Sequence, residues 1–171
     1  VSNLLAFSRQ SKMEARRLDI NRLIEQTLFI NSNLLKISGV KVKKYLDPNL
    51  PEIVGSEDQL QQVFMNLVSN AAEAMESAGG GELKITSKFL APEKKIQINV
   101  RDTGPGIAYI NISKLYEPFF TTKKKGKGVG LGLSVAYGII QEHGGSIFVR
   151  STVGNGATFQ VKLPLEPASQ G

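Results

Sequence analysis

Four glycines stand at every second position in Gly126-Lys-Gly-Val-Gly-Leu-Gly-Leu133, and an apolar pattern begins where the run ends. Glycine lacks a Cβ, so backbone there can take positive φ and come close to a ligand. A helix opening on such a loop points unpaired N–H groups and the positive end of its dipole forward, and a phosphate suits that place. The run fits neither G-x-x-x-x-G-K-[ST] nor G-x-G-x-x-G after a strand. Taken alone it also reads as a flexible glycine hinge.

Three further segments could share the chemistry. Asn66 and Asn70 are four apart, on one edge of the apolar stripe formed by Leu60, Val63, Phe64, Leu67, Ala71, Ala74 and Met75. An amide oxygen at such a border can ligate Mg²⁺ without being buried unpaired, although a surface Asn pair would look the same. In Asp102-Thr-Gly-Pro-Gly-Ile107, an aspartate at a strand end can accept a hydrogen bond from an exocyclic amine such as adenine N6. Gly104 and Gly106 would let a flat base lie on backbone, and Ile107 would give it an apolar face; an ordinary turn also fits. Glu117-Pro-Phe-Phe-Thr-Thr-Lys123 has two adjacent phenylalanines in a polar loop, which suit either a lid or a staple to the core. Lys123 is placed to meet phosphate.

The elements that must position these groups follow from periodicity. Asp19 or Asn21 caps a helix over about 20–36, 40–46 alternates as a strand, and a helix runs from about Ser56 to Gly79-Gly-Gly81. Strands at 82–89 and 95–102 form a hairpin, 103–130 reads mostly as loop, and a helix spans about 130–143. Strands at 146–151 and 157–164 bracket Gly154-Asn-Gly156. This mixed order predicts an α/β sandwich with helices on one face of a sheet. The 171 residues, 41% hydrophobic and 21% charged, suit one domain. No apolar run is long enough to span a membrane, and no direct membrane contact is expected. The first residue is Val, which suggests a piece of a longer protein. With no Cys and the single histidine His143, any metal should be a hard, oxygen-ligated ion. The net charge of +6 is dispersed apart from Lys123, Lys124, Lys125 and Lys127, and no nucleic-acid-reading motif accompanies it, so no nucleic-acid partner is expected.

Together these segments carry a resemblance. Asn66-Leu-Val-Ser-Asn70 resembles the N box of bacterial sensor histidine kinases, Asp102-Thr-Gly-Pro-Gly their G1 box, Glu117-Pro-Phe-Phe-Thr-Thr-Lys their F box and Gly128-Val-Gly-Leu-Gly-Leu their G2 box. Gly154-Asn-Gly-Ala-Thr-Phe159 is similar to their last glycine motif. The five matches come in family order across 56–164, and the style is closest to nitrogen-regulation-type kinases. The resemblance implies the Bergerat ATP-binding fold, a two-layer α/β sandwich with a mixed sheet and three helices on one face. It implies that Asn70 with Asn66 holds Mg²⁺, that Asp102 reads adenine with Thr158 nearby, and that 108–129 forms a lid. It implies ATP contacts at Gly104, Gly106, Ile107, Phe120, Thr121, Thr122, Lys123, Gly128, Val129, Gly130, Leu131, Gly132 and Leu133. Residues 1–15 would end the second dimerisation helix and its linker, 16–165 would be the catalytic domain, and 166–171 a flexible tail. The expected partners are a dimerisation and histidine-phosphotransfer domain of the same homodimeric parent and a response regulator, in the cytoplasm.

Two departures sharpen the expectation. Hydrolytic relatives carry a glutamate, as general base for water, one helical turn before the metal-binding Asn; here Asn66 stands there, and an amide takes no proton at neutral pH. The phospho-acceptor helix of sensor kinases is also missing, and His143 in Glu142-His-Gly-Gly145 reads as a structural histidine at a helix end. Positioning and charge neutralisation suffice for phosphoryl transfer when the acceptor brings its own nucleophile. A serine kinase of the anti-sigma type and a nucleotide-binding module without transfer are the rival readings.

Overall fold

Strand alternation builds the sheet, because alternate residues of its three inner strands are buried. The computed structural model of the chain describes residues 15–104, 129–151 and 154–166. Along them run β1 (Arg16–Leu18), α1 (Ile20–Ile30), α2 (Ser32–Ile37), β2 (Val40–Tyr45), β3 (Ile53–Gly55) and α3 (Glu57–Glu76). Then come β4 (Gly81–Leu90), β5 (Lys95–Asp102), α4 (Val129–Glu142), β6 (Ser146–Ser151) and β7 (Ala157–Pro164). Five strands form one sheet in the order β2-β4-β5-β7-β6. β2 pairs with β4 in parallel and the other pairs are antiparallel. The parallel pair requires a crossover, and α3 lies within it.

Leu83 and Ile85, Ile96, Ile98 and Val100, Phe159, Val161 and Leu163, with Ile147, turn to the helices and are buried. The opposite face is polar, with Lys84, Lys88, Arg101 and Arg150 exposed. α3 supplies Leu60, Val63, Phe64, Leu67, Val68, Ala71, Ala72 and Met75 to the core, and Leu133, Ala136, Ile139 and Ile140 come from α4. The predicted mixed sheet with one helical layer is thus present.

Three local features differ from the expectation. The helix foreseen over 20–36 breaks at Asn31, whose side-chain amide donates to the Thr27 carbonyl at 3.1 Å and so competes with the helical ladder. Counting α1 and α2 as one broken helix leaves three helices in the layer. β1 and β3 pair in a separate two-stranded sheet. They have three residues each, too few for a period to register. Finally, α4 begins at Val129, so Gly130 and Gly132 lie inside its first turn rather than in a preceding loop. The segments expected to form the end of a dimerisation helix (1–14) and most of the tail (167–171) lie outside the described residues.

Ser56 caps α3, its hydroxyl accepting from the Gln59 N–H at 3.4 Å. Ser56→Ala should therefore cost about 1 kcal/mol, whereas Leu67→Ala, in the core at 1% exposure, should cost about 2–5 kcal/mol. Urea melts of both variants would check the ratio; equal losses would mean that α3 is held by its cap rather than by its packed stripe.

Candidate nucleotide site

At the buried end of the central strand the Asp102 turn meets the end of α3 and the glycine before β7. Asp102 closes β5 and is 4% exposed. It pairs with Leu83 of β4 on one side and Ala157 of β7 on the other. Its Oδ1 accepts the Gly104 N–H at 2.9 Å, which folds 102–104 into an Asx-type turn. Thr103 pins the turn from β4, its hydroxyl accepting the Glu82 N–H at 3.0 Å. The same hydroxyl lies 3.8 Å from the Met75 sulfur of α3. A Cβ at Gly104 would lie 3.3 Å from the Ala74 carbonyl oxygen, so the turn sits on the final turns of α3.

Ala74 continues the amide edge of α3. Asn66, Asn70 and Ala74 follow at i, i+4 and i+8, all half-buried beside the apolar stripe. The structure therefore runs the Asn pair along a line that ends at the Asp102 turn. The buried Asn70 Nδ2 has no hydrogen-bond partner among the described residues. Ser38 Oγ and Asn99 Oδ1 are likewise unpartnered among them, but only Asn70 lies on this edge. Nδ2 is a donor, so the partner it lacks is an acceptor such as a phosphate oxygen, and Oδ1 is the only atom of this amide that could face a cation. Ser69 is not its partner, since its hydroxyl donates to the Asn66 carbonyl at 3.2 Å.

A glycine of the last motif braces the aspartate. Gly156, at φ +77°, lies against the Asp102 backbone, where a side-chain carbon would overlap the carbonyl oxygen. α4 opens at Val129, and the N–H groups of Val129, Gly130 and Leu131 have no carbonyl a turn earlier within the helix.

Two expected contacts are revised. Thr158 pairs with Arg101 and Arg150, placing it on the sheet face opposite Asp102, while Ala157 occupies the position beside the aspartate. Counting by twos along β7 decides this, and the motif alone did not. Leu133 is 3% exposed in the core, so its side chain packs rather than lining a site. Gly106, Ile107, Phe120, Thr121, Thr122, Lys123 and Gly128 lie outside the described residues, as does the lid expected over 108–129 except Val129, which opens α4. The pins formed by Thr103 and Gly156 escaped the sequence reading; a threonine inside D-T-G and a glycine before a strand were their only signals.

The family model described as histidine kinase-, DNA gyrase B- and HSP90-like ATPase matches residues 55–167. Among curated relatives, the two-component sensor PprA of Pseudomonas aeruginosa is 35% identical over 100% of this chain, which spans 19% of PprA's length. Among solved structures, the catalytic domain of histidine kinase ThkA is 30% identical with a TM-score of 0.78, over 90% of this chain and 97% of that one. ShkA, in complex with AMPPNP, is 27% identical with a TM-score of 0.79, over 91% of this chain and 32% of that one.

Gly154 also has positive φ, +89°, but nothing lies within 4 Å of where its Cβ would be. Gly154→Ala should cost only the left-handed backbone penalty of about 1–2 kcal/mol. Gly156→Ala adds the collision with Asp102 and should cost clearly more, about 2–4 kcal/mol in all. Chemical denaturation of the pair tests this; an equal loss would show that turn 154–156 does not brace Asp102.

Proposed function

The chain belongs to the family of histidine kinase-, DNA gyrase B- and HSP90-like ATPases, among histidine kinase catalytic domains, and from that premise we propose that it binds Mg-ATP and gives the γ-phosphoryl group to a histidine on a dimerisation domain outside this sequence. The observation that carries this reading is the edge of α3 that runs from Asn66 through Asn70 to the buried Asp102 turn, with the Asn70 Nδ2 donor still lacking an acceptor among the described residues.

The donor set fits magnesium. Asn66 and Asn70 offer neutral, hard amide oxygens, and Mg²⁺ is commonly held by few protein ligands beside substrate phosphates and waters. No cluster of three His, Cys, Asp or Glu competes among the described residues. Bound with the triphosphate, the ion would supply charge neutralisation at the transferring phosphoryl group. Asp102 accepts from adenine N6–H, with Ala157 rather than Thr158 beside it. The free N–H groups at the start of α4 face phosphate oxygens.

Neither amide at positions 66 and 70 can deprotonate a water, so this edge of α3 favours retaining ATP over hydrolysing it. The nucleophile comes from the acceptor histidine, and positioning is what this chain contributes. In this reading a response regulator receives the phosphoryl group next, and the setting is the cytoplasm. Support for the ATP step includes the AMPPNP bound to ShkA. Among the described residues no helix is long and apolar enough to cross a membrane.

Asn70→Ala should weaken Mg-ATP binding at least tenfold while leaving the melting temperature nearly unchanged, because the residue sits at the stripe's border; calorimetry giving equal affinity would remove the metal assignment. GTP presents a carbonyl where ATP presents the N6 amine, leaving two acceptors face to face. It should bind about 5- to 150-fold more weakly, and competition at equal strength would overturn the role of Asp102. Radiolabelled ATP with a separately supplied dimerisation domain tests transfer itself. Binding without transfer would make the chain a nucleotide-binding module.

A further inference from the structure

Ser56 and His143 lie 87 positions apart and meet in the core. The Ser56 backbone N–H donates to His143 Nε2 at 3.1 Å. On the other side of the ring, Nδ1 lies 2.8 Å from the Ile139 carbonyl oxygen. A carbonyl cannot donate, so that bond needs its proton on Nδ1, and the Ser56 bond needs a lone pair on Nε2. Only one form of the ring satisfies both, the neutral imidazole protonated at Nδ1. The residue is 2% exposed, and Gly55 makes the space, since a Cβ there would stand 2.8 Å from Cδ2 and 2.9 Å from Nε2.

The two bonds join two helix ends. Ile139 belongs to the last turn of α4, whose carbonyls at 139 and 140 also receive the His143 backbone N–H, both at 3.1 Å. Ser56 is the N-cap of α3. In a capping box the side chain at Gln59 would reach back to the N-cap N–H; here His143 Nε2 takes that proton instead. A polarised ring thus connects the negative end of one helix to the positive end of the other. These are the helices that carry the phosphate-facing amides and the Asn66–Asn70 edge.

We propose that His143 is a positioning residue for the nucleotide site, its neutral ring bolting the end of α4 to the N-cap of α3 and so setting the distance between the glycine-rich start of α4 and the amide edge of α3. The proposal rests on the nucleotide reading above. It makes the link sensitive to acid, because a second ring proton would face the Ser56 N–H donor to donor. Burial holds the imidazole below its usual pKa of 6.5, outweighing the Ile139 carbonyl and the Glu142 charge, which raise it. Other charges near the junction are Asp58 and Glu57 in the first turn of α3, with Glu57 ion-paired to Arg16. With the folded pKa depressed, the unfolded chain takes up the proton first. The stability that the link contributes is therefore fully present above pH 6.5 and is lost as pH falls towards the folded value, and the link itself gives way only where the folded ring protonates.

The test uses the 171-residue chain, in which His143 gives the single histidine signal. Nitrogen-resolved NMR near neutral pH should show the proton on Nδ1; a proton on Nε2 overturns the link. Mg-AMPPNP affinity is then measured by calorimetry from about pH 8 to about pH 5, well below each variant's melting temperature, for wild type, His143→Gln and His143→Ala. Gln sets an amide oxygen near the Nε2 position, accepts from Ser56 and does not titrate. It should bind within about threefold of wild type near neutrality, and the wild-type-to-Gln affinity ratio should fall about tenfold across the pH range in which NMR shows the folded ring taking its second proton. Ala should bind at least about tenfold more weakly at every pH. A folded Ala variant with wild-type affinity, or a ratio that stays flat while NMR shows the ring protonating, overturns the positioning role. If Ala does not fold, the ratio for Gln decides. Wild type failing to bind nucleotide would instead overturn the nucleotide reading, and the NMR result would still judge the link itself.

Discussion

Burying a carboxyl at the end of a central strand constrains everything around it. Asp102 can be 4% exposed only if its polar atoms are met and its backbone stays in the ladder. Backbone meets both needs. The Gly104 N–H reaches Oδ1, while β4 and β7 pair on either side. That close fit explains why the neighbouring chain must be small. Gly156 leaves no room for a side chain against the Asp102 carbonyl, and Gly104 presses on the Ala74 carbonyl. A carboxylate held this way keeps one geometry without help from a ligand, which is what the proposed discrimination by a single hydrogen bond would require.

The same helix that packs the core also carries the amide edge, and the two jobs do not collide because they occupy different strips of its surface. Leu60, Val63, Phe64 and Leu67 face inward, while Asn66 and Asn70 stay at the border with partial access to water. A polar side chain inside the stripe would be costly, and one on the far side would miss the Asp102 turn. The border is the one place where an amide can be dehydrated enough to hold a cation firmly and still be reached by a nucleotide.

Sequence periodicity made the long elements legible. α3 shows a stripe over twenty residues, and the strands from β4 to β7 alternate long enough for their boundaries to fall within a residue or two. What escaped were features with no periodicity to read. β1 and β3 are three residues each and exist by pairing with one another. The break at Asn31 depends on a local amide bond that an asparagine in a helical pattern does not announce. Thr158 illustrates a different failure. A motif names a residue, but strand register decides its face, and one position of offset turned the threonine away and put Ala157 beside Asp102. The Ser56–His143 contact was invisible for a third reason. It joins residues 87 apart, and its only local trace is a glycine that leaves space for a ring.

The missing general base gains meaning beside these rigid features. In the proposed reading, a site that held ATP by a preformed aspartate, a pair of amides and a helix start would spend little energy on assembly. With a carboxylate beside the water path, such a site would drain its own nucleotide. Asn66 at that place removes the base yet keeps an oxygen donor in the same strip of α3. Holding and reacting are thereby separated. This chain would keep the triphosphate charged and oriented, and the reaction would wait for a nucleophile carried by another domain. On that argument the slowest step belongs to the approach of the acceptor, and control over signalling lies in whatever moves the two domains together.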